Sequence, residues 1–288
     1  MTPAAEATGR SGRTAATIAV TSGKGGVGKT SVVVNLAVAL ARLRNRVAIL
    51  DADFGLGSVD VQLGLAPTLH LGHFLAGERS IDEIVVPGPF GVKVVPASSG
   101  LRELTALTPA QWERLSEGLG RLCQELDFLL IDTAAGVSDN VVELLVSAQR
   151  VLVVTSLEPT AMVDAYAMIK VVTAARSDKE IGVLVNRARD GEEAELVHRQ
   201  LETATSRFLS RGLRYFGFVP FDPTLREAML AQRAIVDHRP HAPASRCFRT
   251  LASRIASLAP VDGPGLRLVA PGARSRRQGG GVEVQRCA

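Results

Sequence analysis

Short runs of β-branched and aliphatic residues alternate along the chain with longer stretches that repeat apolar residues at helical spacing. The short runs predict seven strands, at residues 17–21, 46–50, 92–95, 128–131, 151–155, 181–185 and 215–219. Several runs are almost wholly apolar, which is typical of parallel strands that helices cover on both faces. The longer stretches predict seven helices, near residues 29–43, 109–125, 137–148, 160–175, 190–209, 223–231 and 243–258.

The order of these elements, strand and then helix throughout, predicts the fold class. Repeated right-handed βαβ units build a single doubly wound, mostly parallel α/β sheet with helices on both faces. No internal repeat or second core is visible in the pattern. We therefore expect one domain over residues 15–259, preceded by a flexible segment at 1–14 and followed by a flexible, basic Gly/Pro/Arg-rich tail at 260–288.

Composition and charge narrow the function classes. The chain has 288 residues, of which 46% are hydrophobic and 22% charged, and this excludes a mostly disordered protein. The net charge of +4 lies on the two ends, +1 on residues 1–14 and +3 on residues 260–288. The expected domain is therefore about neutral, which argues against nucleic-acid binding. Three widely spaced cysteines, together with the lack of a long uncharged apolar run, predict a cytoplasmic protein.

The first predicted strand leads directly into Gly23-Lys24-Gly25-Gly26-Val27-Gly28-Lys29-Thr30, a complete G-x-x-x-x-G-K-[ST] phosphate loop. Backbone N–H groups of such a loop and the positive end of the following helix bind phosphate oxygens. Lys29 reaches the β- and γ-phosphates of ATP, and the Thr30 hydroxyl binds Mg²⁺. We expect the nucleotide to be held by the loop and the residue after it, which are Gly23, Gly25, Gly26, Val27, Gly28, Lys29, Thr30 and Ser31.

Three carboxylates follow predicted strands and are expected at the same edge of the sheet. Asp51 and Asp53 end the second strand, and alternation places them on one side of it. Asp132 ends the apolar run 128–131, a Walker B pattern whose acid holds Mg²⁺ through water. With Thr30, these three acids form the predicted metal site. Asp51 has a second interpretation, as the cap of a loop.

A second lysine, Lys24, stands near the start of the phosphate loop and has two interpretations. It is a solvated surface lysine, or it contacts phosphate in addition to Lys29. The motif K-G-G-x-G-K-T, together with D-x-D-x-G-L from Asp51, resembles the deviant Walker A ATPases of the MinD/ParA family, and the resemblance covers residues 16–258. It implies that Lys24 crosses to the phosphates of the opposite subunit, and that Asp53 orients the attacking water. Lys24, Lys29 and Asp53 are then the catalytic residues.

The same resemblance assigns the base-binding residues. It implies that the amide of Asn186 recognises adenine and that the Pro220 region lines the adenine pocket. From the residues alone, an Asn at the end of a strand is also a common turn former, so both interpretations of Asn186 stand.

Within the family, residues 51–65, 95–100, 132–136 and 158–170 are more similar to the flagellar-number regulators of the FlhG (FleN) type than to MinD or ParA. The resemblance implies a slow Mg-ATPase that forms a homodimer with ATP, through segments near 137–170, and regulates flagellar number or placement. The implied partners are the flagellar GTPase FlhF, a flagellar transcriptional regulator or flagellar switch-complex proteins. A positioning ATPase for another cargo and a metabolic P-loop kinase or synthetase are the alternatives.

The chain departs from the FlhG pattern in three places. Residues 1–13 lack the D-Q-A-x-x-L-R motif, Ser58 replaces a common Asn, and the segment after Pro260 has no apolar helical stripe. The arginines of the tail would still support weak contact with anionic lipid, at about 1 kcal/mol per basic residue. A stripe from Phe248 to Leu258 is either the last helix docking on the sheet or a membrane-surface helix.

Overall fold

The computed structural model describes residues 14–55, 57–97 and 107–258, together with 266, 268 and 270. Eight strands of this part form one sheet in the order β3-β4-β2-β5-β1-β6-β7-β8. They are β1 Ala16–Thr21, β2 Val47–Ala52, β3 Val86–Pro87, β4 Lys93–Val95, β5 Phe128–Thr133, β6 Arg150–Thr155, β7 Glu180–Ala188 and β8 Arg214–Pro220. All neighbours are parallel except β3 and β4. The predicted doubly wound, mostly parallel sheet is confirmed.

Helices cover both faces of this sheet. They are α1 Lys29–Arg42, α2 Val59–Gln62, α3 Leu71–Leu75, α4 Ile81–Ile84, α5 Pro109–Gln124, α6 Asp139–Ser147, α7 Pro159–Ala175, α8 Gly191–Leu209, α9 Pro223–Leu230, α10 Ile235–His238 and α11 Pro243–Ala256. The seven predicted helices are present within two residues of their predicted ends. The prediction missed β3, α2, α3, α4 and α10, because elements of two to five residues are too short for a hydrophobic repeat to be recognised.

Two cores, one on each face of the sheet, hold the layers together. Apolar residues of α3 to α8 pack on one face, and those of α1, α2 and α9 to α11 pack on the other. Strand β5 shows the alternation, since Leu129 and Ile131 belong to the first core and Leu130 to the second. Both faces of the central strands are therefore buried from solvent, as their apolar sequences predict.

The amphipathic stripe of α11 belongs to the second core. Phe248, Leu251 and Ile255 are buried there, and α11 packs against α1 and β8. The docking interpretation of this helix is therefore confirmed. None of the helices within the described ranges is long and apolar enough to cross a membrane.

Some predictions concern the ends of the chain and one loop. Of the predicted flexible segment 1–14, only Thr14 is among the described residues. Leu56 and residues 98–100, which belong to the FlhG-like segments, also lie outside the described residues. Within the predicted tail, Leu266 and Leu268 are buried in the first core, and the Leu268 N–H donates to Ser116 Oγ at 3.1 Å. These two residues pack on the domain, whereas a free tail was expected. The boundary at residue 259 stays a prediction.

Two histidines begin α3 in place of the usual capping residues. Nδ1 of His70 accepts the Gly72 N–H at 3.2 Å, and Nδ1 of His73 accepts the His70 N–H at 3.3 Å. The two rings lie 4.0 Å apart. Both hydrogen bonds require an unprotonated Nδ1, because a protonated ring has no acceptor. Burial, reinforced by His73, lowers the pKa of His70, and nearby Glu78 opposes this shift.

Acid should therefore weaken this cap. A lowered histidine pKa contributes stability above the unfolded value near 6.5, and this stability is lost as the pH falls. We expect the free energy of unfolding to fall between pH 7 and pH 5. The fall should be about 1 kcal/mol smaller in His70→Asn than in the unmodified protein, because Asn caps the helix without titrating. Urea unfolding at the two pH values measures this. An equal drop in both proteins would exclude the histidine cap as its source.

Candidate functional site

The phosphate loop connects β1 to α1 in the way that the motif predicts. Gly26 and Gly28 have φ values of 80° and 92°, in the left-handed region that favours glycine. Gly28 is the N-cap of α1, and Lys29 is the first residue of that helix. The turn therefore directs backbone N–H groups and the positive helix end into one concavity, which suits an anion.

Close packing from two sides fixes the position of this loop. A Cβ on Gly23 would lie 2.2 Å from the backbone oxygen of Asp164 in α7, and a Cβ on Gly28 would lie 2.4 Å from Nδ2 of Asn186. A Cβ on Gly25, in contrast, would contact nothing within 4 Å. Gly23 is thus required by packing, and Gly28 by packing and by its backbone conformation.

Asn186 supports the loop from the end of β7. It is buried, and its Nδ2 donates to the carbonyl oxygen of Val27 at 2.7 Å. A register shift between β7 and β8 follows it, and the next residue, Arg187, has a φ of 59°. The predicted adenine role of Asn186 remains a prediction. What the structure adds is a second role, as a support of the loop.

A buried ion pair lies at the end of the loop. Nζ of Lys29 donates to Oδ1 of Asp132 at 2.5 Å, with the side chains 8% and 1% exposed. Burial raises the pKa of Asp132, while the charge of Lys29 and hydrogen bonds from Lys29 and Thr30 oppose the rise. Among the described residues, Oδ2 of Asp132 has no hydrogen-bond partner although it is buried.

The other carboxylates lie beside this pair. Asp51 is opposite Asp132 in the register of β2 and β5. Its two oxygens accept the N–H groups of Asp53 at 3.2 Å and Val59 at 3.0 Å. Burial and the charge of Asp132 raise the pKa of Asp51 to about 7. These contacts support the cap interpretation of Asp51, which holds the loop carrying Asp53 against the end of the sheet.

The donor set fits a magnesium ion that is bound together with a nucleotide. Within the described residues, no three His, Cys, Asp or Glu side chains are grouped to hold a metal by themselves. Mg²⁺ commonly takes one or two protein ligands, several waters and phosphate oxygens. The unpartnered Oδ2 of Asp132 and the Thr30 hydroxyl suit that arrangement. The two lie close together, since the Thr30 side chain is near enough to lower the pKa of Asp132.

Lys24 lies apart from this cluster. Its Nζ donates to Oε2 of Glu158 at 2.7 Å and to Oγ1 of Thr160 at 3.0 Å, at the beginning of α7. Hydrogen bonding and the charge of Lys24 lower the pKa of Glu158. No sequence signal links residues 134 positions apart, so this ion pair was not predicted.

A cavity of about 890 Å³ contains most of the predicted binding residues. Its walls include predicted residues, namely Gly25, Gly26, Gly28, Lys29, Thr30, Ser31, Asp53, Asn186 and Pro220. Its walls also include residues that the prediction missed, among them Gln62, Arg187, Phe221, Asp222, Leu225, Arg226, Met229 and Leu230. Gly23, Lys24, Val27, Asp51 and Asp132 do not line it. One ligand in this cavity would contact the phosphate loop, Asp53 and the segment after β8.

Comparison with known proteins agrees with this geometry. The family model described as the CobQ/CobB/MinD/ParA nucleotide binding domain matches residues 18–235. The antiactivator FleN of Pseudomonas aeruginosa is 42% identical over 240 residues, which are 83% of this chain and 86% of that protein. The flagellum site-determining protein YlxH of Helicobacter pylori is 29% identical over 242 residues, 83% and 81% of the two chains. The septum site-determining protein MinD of Pyrococcus horikoshii, solved with Mg-ADP, superposes with a TM-score of 0.71 at 25% identity, covering 84% of this chain and 96% of that one.

The packing of Gly23 leads to a matched pair of variants. Gly23→Ala places its methyl against the backbone of α7, so α7 or the loop has to move. We expect a loss of about 1–3 kcal/mol in the free energy of unfolding, as in other overpacked sites. Gly25→Ala adds the same methyl in open space, so its stability should stay within about 0.5–1 kcal/mol, the range of an ordinary Gly-to-Ala change. Urea unfolding compares the two, and equal stabilities would contradict the packing.

Proposed function

Because the chain belongs to the CobQ/CobB/MinD/ParA nucleotide-binding family, we propose that it is a cytoplasmic, magnesium-dependent ATPase that switches by ATP-driven dimerisation. Hydrolysis is slow and releases the dimer. The observation that carries the switch is the position of Lys24. This lysine belongs to the phosphate loop, yet it does not line the cavity of its own subunit and is paired with Glu158.

Lys29 serves the nucleotide of its own subunit. In the described structure its charge compensates Asp132, and phosphate oxygens compete for the same Nζ when ATP enters. When bound with ATP, magnesium neutralises phosphate charge and polarises the γ-phosphoryl group. Asp132, through water, and Thr30 would hold this ion, so Asp132 would keep a positive partner while Lys29 turns to the β- and γ-phosphates.

Asp53 is proposed to orient the attacking water. It follows β2 at the rim of the cavity, within electrostatic range of Asp132, and its backbone N–H is held by Asp51. A carboxylate in this place accepts a proton from water as the water approaches the γ-phosphorus. Asn186 and Pro220 also line the cavity, and we place the adenine base beside them.

The dimer face is proposed around the same edge of the sheet. Val137, Leu157 and Val163 are 50%, 40% and 66% exposed, although all are large and apolar. They lie within the segments near 137–170, and Leu157 adjoins Glu158, the partner of Lys24. A second copy that covers these side chains would bring its own Lys24 toward the phosphates of this subunit.

The cellular role we propose is control of flagellar number or placement. Its support is the likeness to FleN and YlxH, both named for flagellar functions. The partners we propose are the GTPase FlhF, a flagellar transcriptional regulator or flagellar switch-complex proteins. Weak contact with the membrane, through the basic tail, is part of this proposal. Similarity to septum-site MinD supports a second candidate, positioning of another cargo. Deleting the gene and counting flagella by electron microscopy distinguishes the two, because a different cargo leaves the flagellar count unchanged.

Asp53→Ala tests hydrolysis separately from binding. The variant should bind ATP, lose about 10²–10⁴-fold in turnover and remain dimeric, because the contact to the attacking water is removed while the phosphate loop and Lys24 stay in place. Calorimetry, phosphate release and light scattering measure the three properties. Lys29→Ala, which should lose ATP binding, is the negative control. Normal turnover in Asp53→Ala would give this residue another role.

Lys24→Ala and Glu158→Gln test the dimerisation switch, since the first variant should prevent the dimer and the second should favour it. Lys24→Ala should bind ATP as a monomer and fail to dimerise. Glu158→Gln removes one exposed ion pair that holds Lys24 in its own subunit, so the dimer should form about two- to fivefold more readily, as expected when a weak surface pair is lost. Sedimentation with ATP measures both. A dimeric Lys24→Ala variant with normal turnover would contradict the switch and favour a P-loop kinase or synthetase.

A further inference from the structure

Three residues of the cavity wall, which come from three different helices, contact one another. Oγ of Ser31, in the first turn of α1, donates to Oε1 of Gln62 at 3.1 Å and lies 3.7 Å from Sδ of Met229. Gln62 is the last residue of α2, and Met229 belongs to α9. All three line the cavity. We call this group the Ser31 clasp.

The clasp connects two walls that are distant in sequence. A Cβ on Gly64, just after α2, would lie 3.3 Å from the backbone oxygen of Gln232, just after α9, so the two segments also touch behind the clasp. A hydroxyl has one hydrogen, so Gln62 takes the stronger bond and Met229 a weaker sulfur contact. Ser31, directly after the phosphate loop, thus contacts both walls.

From Gln62 the contacts continue to the catalytic side. The N–H of Val59, at the start of α2, donates to Asp51, and Asp51 also accepts the N–H of Asp53. Asp51 is buried, with 1% of its surface exposed. A displacement of α2 therefore changes the support of the Asp53 loop, and a tightened clasp stabilises it.

The wall that contains Met229 is the one that a bound base would contact. Met229 is 44% exposed, and it shares the wall with Pro220 and Leu225. A flat apolar ring held there excludes water from Met229 and limits the movement of α9. The phosphates alone would touch Ser31 but not this wall.

We infer that Gln62 is a positioning residue that couples occupation of the base end of the cavity to the order of the Asp53 loop, through Ser31 and Met229. The inference rests on the proposed ATPase function. The base of an adenine nucleotide thus prepares the catalytic loop before any γ-phosphate is present. A phosphate group without a base does not.

ADP and inorganic pyrophosphate, each with Mg²⁺, separate the effect of the base from the effect of the phosphates. Both ligands fill the phosphate loop, and neither has a γ-phosphate. In the full chain, ADP should slow hydrogen exchange of residues 57–65 about two- to tenfold more than pyrophosphate does, the effect of one hydrogen bond. Gln62→Ala should abolish this difference and lower the kcat for ATP by a similar factor, with ADP affinity changed less than about twofold.

Val61→Ala is the matched control, since Val61 lies on the same helix, is 56% exposed and does not line the cavity. It should keep both the exchange difference and the kcat. Met229→Ala, at a partly exposed position, should repeat the effect of Gln62→Ala even if the latter folds poorly. The clasp is overturned if ADP binds but protects residues 57–65 no better than pyrophosphate, or if Gln62→Ala keeps the difference. Failure of the unmodified protein to bind ADP would instead overturn the proposed function.

Discussion

The buried pair of Lys29 and Asp132 is the interaction on which the site depends. Three carboxylates converge at the ends of β2 and β5, and such charges are costly to bury without a partner. Lys29 supplies the compensating charge from the first turn of α1. The same lysine is the one that a phosphate group attracts. In the proposed function, binding is therefore an exchange of partners, in which a cation brought with the nucleotide would replace Lys29 beside Asp132.

The layer order and the phosphate loop could be predicted because their signals are local. The apolar run 128–131 followed by Asp132 predicts a strand with an acid at its end, and the structure has both. The full role of Asn186 could not be found in this way, since its bond to Val27 joins residues 159 positions apart. The ion pair of Lys24 with Glu158 and the contact of Gln62 with Ser31 depend equally on which elements become neighbours. Leu266 and Leu268 were missed because Gly and Pro around them obscure any periodicity.

The two loop lysines illustrate how one motif serves two tasks. Lys29 is buried and faces the acids, while Lys24 is 38% exposed and faces outward to α7. Loop packing accompanies the difference, because Gly23 lies against Asp164 of α7 and the next residue, Lys24, pairs with Glu158 at the beginning of the same helix. A surface ion pair is weak and easily broken, whereas a buried one is not. The geometry thus combines a firmly held cation with one that is readily released.

Helix α1 is buried along nearly its whole length, with the sheet on one side and α10 and α11 on the other. A helix without a solvent-facing side has little room for local opening, so we expect its amide protons to be among the slowest to exchange. The phosphate loop leads directly into this helix. A ligand that binds the loop only in the folded domain would then stabilise the whole domain against unfolding and against proteolysis.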